Sequence, residues 1–98
     1  MKILALEKET EGVNWQNAQD ILKEEARQVY HLYLSDTLRE IYFTENKTAV
    51  LILETENKIV AEKLLKKLPL VKMGFISFEV MELRPYSGYD RLIKNNFD

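Results

Sequence analysis

A chain of 98 residues, 46% hydrophobic and 31% charged, matches one ordinary soluble domain (1–98), near the size at which burying enough surface alone is difficult. Its 14 basic and 16 acidic residues are spread along the sequence for a net charge of −2, so no basic stripe exists to neutralise phosphates, which argues against nucleic acid. The absence of cysteine removes disulfides, thiolate nucleophiles and Cys-based metal sites; acidic residues follow Met1 too soon for a signal peptide, and no apolar run suggests a membrane span, so a cytoplasmic protein that does not engage membranes is the default.

Taken in chain order, Lys2 to about Glu9 reads as a first strand, ended by Glu9-Thr10-Glu11-Gly12. Asn14 is a plausible N-cap for a helix running to about Leu34, with Trp15, Ala18, Ile21, Leu22, Ala26, Val29, Leu32 and Tyr33 at helical spacing. Leu38 to Glu45 reads as a second strand, with Arg39, Ile41 and Phe43 on one face and Glu40, Tyr42 and Thr44 on the other. The polar turn Glu45-Asn46-Lys47 joins it as a hairpin to a third strand, Thr48 to Glu54. A second helix, capped by Asn57, runs from about Lys58 to Leu68, where Pro69 cannot continue it. Phe75 to Leu83 is a fourth strand with Ile76, Phe78 and Val80 on one face; beyond it a tail (83–98) carries Tyr86, Tyr89, Leu92, Ile93 and Phe97 and is expected to pack on the domain or on a partner.

The order strand, helix, strand, strand, helix, strand, with right-handed crossovers and short connections, predicts an α+β, ferredoxin-like fold: a four-stranded antiparallel sheet in spatial order 4-1-3-2 with both helices on one face. Strands one and three are then central, and Ile3-Leu4-Ala5-Leu6 and Ala49-Val50-Leu51-Ile52-Leu53 are apolar on both sides. Such strands belong to sheets buried on both faces. Two helices cover one face; the other is expected to meet a second copy by two-fold pairing. An RNA-recognition module is excluded by the lack of aromatic and Arg/Lys-Gly patterns on Thr48 to Glu54. Amino-acid-sensing regulatory domains share this element order, but this chain has no attached enzyme domain.

The run Val29-Tyr30-His31-Leu32-Tyr33-Leu34-Ser35-Asp36-Thr37-Leu38-Arg39-Glu40-Ile41-Tyr42-Phe43, then Val50-Leu51-Ile52-Leu53-Glu54, Leu68-Pro69-Leu70-Val71, Phe78 through Leu83 and Pro85-Tyr86, resembles the muconolactone isomerase-like branch of the dimeric α/β-barrel proteins. The resemblance covers most of the chain. It implies two ferredoxin-like protomers with sheets face to face and helices outside, sometimes in higher assemblies, and a small-molecule cleft in each, where relatives act as isomerases, cofactor-free oxygenases or dehalogenase-like enzymes. A glycine is common after the first helix in such sequences; here Asp36 stands there, a residue that tolerates a left-handed helix end better than most.

Several side chains are candidates for chemistry. His31, the only histidine, could act as a general base, but it lies roughly 160° around the helix from Val29, which favours a solvated position. Glu25 sits on the apolar stripe of the first helix, where a carboxylate has a raised pKa unless paired; its ordinary role is an edge position with the head reaching water or Arg39. Glu54 ends the third strand, to line a cleft or to cap the following helix. Arg39 could clamp a ligand carboxylate or make an ion pair, and Tyr33, Tyr42 and Tyr86 could offer hydroxyls to a pocket or simply fill core or interface. No histidine-rich spacing supports a metal site, and Gly12, Gly74 and Gly88 are isolated turn glycines, so no nucleotide or flavin cofactor is expected. Two functions stay open: a cofactor-independent isomerase or oxygenase acting on a small organic acid or lactone, and a non-catalytic dimeric module that binds a small molecule or a protein.

Overall fold

The structure is a computed structural model that describes residues 1–96; Phe97, assigned to the tail from sequence, lies outside the described residues. Its elements are β1 (Lys2–Glu9), α1 (Gln19–Leu34), β2 (Leu38–Phe43), β3 (Ala49–Glu54), α2 (Lys58–Lys66), α3 (Pro69–Lys72), β4 (Ile76–Leu83) and α4 (Asp90–Asn96). The four strands form one antiparallel sheet in the order β2-β3-β1-β4, so β1 and β3 are central as the apolar patterning requires. The fold is α+β and ferredoxin-like.

The alternation of β1 and β3 divides the sheet into two unlike faces. Ile3, Ala5, Ala49, Leu51 and Leu53 are buried and cluster with Leu38 and with Ala61, Leu65 and Leu68 from α2 and the segment after it. Leu4, Leu6, Val50 and Ile52 point the other way, where cross-strand pairing sets Leu4 opposite both Ile52 and Met81. They are only partly covered. A row of Leu, Val and Ile left in that state is the surface that two-sided apolar strands predict.

Three local departures from the sequence reading have physical causes. The first helix starts at Gln19: Asn14 Oδ1 accepts from the Gln16 amide at 2.9 Å, a turn rather than a cap, and Asn17 adopts φ 60°, which no helix accommodates. Pro69 ends α2 and also opens α3, because its fixed φ and missing N–H suit the first helical position. Strand β2 carries a register shift between Leu38 and Glu40, so Leu38, Ile41 and Phe43 oppose Leu53, Leu51 and Ala49 on the helix-covered face. Arg39 is the residue displaced by that shift and does not share an in-register face with Ile41 and Phe43.

Other local readings hold. Asn57 Oδ1 accepts the Val60 amide at 2.9 Å and caps α2. Asp36 takes φ 65° after α1, its amide donating to the Tyr33 carbonyl, so the turn survives without glycine. Beyond Leu83 the backbone hydrogen bonds of α4 and the turn before it are internal to that segment, while Tyr86, Tyr89, Leu92 and Ile93 are exposed. The described chain measures 65 × 27 × 20 Å with a radius of gyration of 17.1 Å, against about 13 Å for a compact domain of 100 residues.

Candidate functional site

Helix α1 is amphipathic yet has no fully buried residue, whereas the shorter α2 buries Ala61 and Leu65. The difference is a cavity of about 450 Å³ between α1 and the sheet. Its helix wall is Leu22, Glu25, Ala26, Val29, Tyr30 and Tyr33, and its floor includes Leu38, Ala49, Leu51 and Phe78. Ala26 and Ala49 both line the space, and neither is long enough to reach across it. Leu70 and Ile76, both buried, also line it, and Ile41, Phe43, Tyr30 and Tyr33 are its exposed lining residues on the solvent side.

Two carboxylates enter this apolar space. Glu25 is half-buried, and its Oε1 accepts the Leu70 amide of α3 at 3.0 Å. Glu7 continues the inward alternation of Ile3 and Ala5; its Oε1 accepts the Ala49 amide at 2.8 Å, one position beyond the last β1–β3 pair, Leu6 with Val50. A side-chain oxygen thus satisfies a backbone donor that the end of the ladder leaves free. Burial pushes the Glu25 carboxyl above the usual carboxylate range, the Leu70 amide opposes that rise, and the negative charge of Glu7 adds to it. A carboxyl in such surroundings holds a proton more readily than one in water and can exchange it with a bound molecule. Among the described residues no lysine, arginine or histidine lines the cavity.

Of the residues singled out from sequence, Glu25 and Tyr33 line this cavity. Tyr33 stands at the opening, stacked on Tyr30 with ring centroids 6.2 Å apart. Arg39 does not reach Glu25: its Nε donates to the Asp36 carbonyl at 2.7 Å, a consequence of the shifted register of β2. Glu54 is held by the Met1 ammonium at 2.5 Å, which keeps its carboxyl below the usual range with help from the Arg39 and Lys2 charges. It does not cap α2, since Asn57 does. His31 is exposed and belongs to a shallow depression with Gln28, Leu32 and Leu64 outside the cavity. Tyr42 lies across the sheet, its hydroxyl donating to Glu40 at 2.9 Å, and Tyr86 packs edge-to-face on Tyr89 at 5.0 Å beyond the last strand. Among the described residues no cluster of three or more acidic or histidine side chains could hold a metal ion, and no helix is long and apolar enough to cross a membrane.

Glu7 escaped the sequence reading, although a signal for it exists. In a central strand whose odd positions Ile3 and Ala5 face the core, a glutamate at the next odd position is a carboxylate aimed inward.

Comparison with solved structures supports this architecture. The chain superposes on muconolactone isomerase with a TM-score of 0.69 and 14% identity, covering 89% of this chain and 92% of that one. It superposes on 5-chloro-2-hydroxyhydroquinone dehydrochlorinase from Burkholderia phenoliruptrix AC1100, determined as a complex with 2,5-dihydroxybenzoquinone, with a TM-score of 0.61 and 17% identity, covering 90% of this chain and 98% of that one. Both neighbours are dimeric α/β-barrel proteins, so the resemblance drawn from sequence holds at the level of the fold. No protein-family model and no curated protein matches the chain in sequence.

Proposed function

We propose that this chain is a cofactor-independent enzyme that moves a proton on a small, largely apolar molecule, an isomerase or a related lyase, with Glu25 as the acid–base group. The observation that carries this reading is the pairing of Glu7 and Glu25 inside an apolar cavity of about 450 Å³, a size suited to a small organic molecule. Burial and the Glu7 charge act together to raise the proton affinity of Glu25, the condition a general base needs near neutral pH. Ring-containing molecules named in the structural neighbours, a lactone and a quinone, are of a size that this space accepts. A small organic acid, implied by the sequence resemblance, fits less well: among the described residues the cavity offers no cationic side chain to a carboxylate.

In the same proposal two copies pair through the open sheet face, burying Leu4, Leu6, Val50, Ile52 and Met81, and the segment carrying Tyr89, Leu92 and Ile93 packs on the partner. An uncovered face of this kind measures several hundred Å², more than soluble monomers usually carry.

A second reading is favoured by the hydrogen bonds themselves. One oxygen of each carboxylate is already committed to a backbone amide, which would suit fixed acceptors in a non-catalytic small-molecule-binding module. A thermal-shift screen of lactones and small cyclic molecules, followed by turnover assays on the hits, separates the two. The enzyme reading expects Glu25→Gln to keep binding and lose at least ~100-fold in kcat, the ordinary range for removing a general base. Hits that bind but are never converted support the binding module, and the absence of any hit defeats both.

A further inference from the structure

We infer that the cavity between α1 and the sheet selects its ligand by charge, taking a small apolar ammonium in preference to an uncharged molecule of the same shape and rejecting a carboxylate. The inference rests on the reading of this cavity as a ligand site and goes further, to the class of molecule it takes. The carboxyl groups in the lining are Glu7 and Glu25, and among the described residues no lysine, arginine or histidine lines the cavity to balance them. Each carboxylate spends Oε1 on a backbone amide, Ala49 or Leu70, and among the described residues no salt bridge reaches either of them.

Two like charges held near one another in apolar surroundings repel, and a cation placed between them relieves that repulsion. A carboxylate ligand would instead bring a third negative charge beside the two already there, with no cationic partner among the described residues of the lining. The remaining walls suit the hydrocarbon part of an amine: Leu22, Val29, Leu38 and Leu51 are aliphatic. The rings of Tyr30, Tyr33, Phe43 and Phe78 also line the space, and an aromatic face attracts an ammonium. A metal ion is a poor substitute, since these two carboxylates, with no third acidic or histidine neighbour among the described residues, do not make up a coordination shell.

The test uses three molecules with one ring and nearly the same size, benzylamine, benzyl alcohol and benzoate, titrated into the full-length protein while backbone amide NMR signals are followed. Benzylamine is expected to bind about tenfold or more tighter than benzyl alcohol, with shifts centred on Ala26, Ala49 and Leu70, and benzoate weakest, a step size set by a partly screened charge interaction. Glu7→Gln with Glu25→Gln should bring the three affinities within about threefold of each other, and each single variant should bring them part of the way if the double variant does not fold. Benzoate binding in the cavity as well as benzylamine overturns the charge inference and leaves the ligand site standing. Failure of all three to shift the cavity residues overturns both.

Discussion

Replacing Ala26 by leucine tests the cavity itself. Ala26 lies on the sheet-facing side of α1 among Leu22, Glu25 and Val29, and a longer side chain there points into open space rather than into packed neighbours. Leucine adds three carbon atoms at about 0.8 kcal/mol for each one buried. The opening toward Tyr33 and Phe43 leaves part of the new side chain wet, so we take half of the full burial, about 1 kcal/mol of added stability. Leucine is nearly as good a helix former as alanine, so propensity subtracts little. For a domain of this size that gain raises the Tm by roughly 4–8 °C. Differential scanning calorimetry measures the shift, and the same variant should lose binding of any molecule that needs the cavity. A variant destabilised by about 1 kcal/mol or more would mean that the space is already packed, since overfilling a tight core costs that much, and the reasoning about the site would fail with it.

Three further outcomes follow from named contacts. Ile52→Asp places a carboxylate on the open face next to Leu4; in a two-fold pair both copies carry it, and at about 3 kcal/mol for each buried unpaired charge the dimer weakens by roughly 10⁴-fold. Sedimentation velocity over a concentration series should therefore show monomer, and an unchanged mass would refute pairing through this face. Leu51→Ala removes a side chain only 1% exposed at the centre of the core, and should cost about 2–5 kcal/mol in urea unfolding; a loss under about 1 kcal/mol would contradict its place there. Because the Glu25 carboxyl is raised on folding, the stability linked to its proton is complete below the unfolded glutamate pKa and is lost as pH rises through the folded value. Glu25→Gln carries no such proton, so its stability relative to the parent should grow across that window and level off above it; a constant difference between the two proteins from acid to mildly alkaline pH would show that burial does not act on this group.

The sheet was readable because its signals are local and periodic. Two-sided apolar strands at Ile3–Leu6 and Ala49–Leu53 name the central pair whatever the loops do, and Asn57, Pro69 and Asp36 mark ends through short-range chemistry. The site was harder to read because it depends on what is missing. A cavity arises where Ala26 and Ala49 leave space together, and nothing in either segment alone says that the two share it. Arg39 was aligned with Ile41 by simple alternation, and one displaced residue in β2 undoes that alignment. Glu54 found a partner at the chain's first residue, 53 positions away, a contact only the folded β1–β3 register creates. Glu25 was identified by its place on an apolar stripe; the alternation of β1 aims Glu7 inward too, but that it shares the cavity with Glu25 follows only from how β1 and α1 pack.

The most direct test of the account is a carbon-13 NMR titration of the side-chain carboxyls of Glu7 and Glu25 in the full chain and in Glu7→Gln. The account predicts that Glu25 titrates above the ordinary glutamate range and moves back toward it when Glu7 loses its charge. A Glu25 carboxyl that titrates like a glutamate in water, indifferent to Glu7, would contradict the claim that these two groups share one apolar cavity.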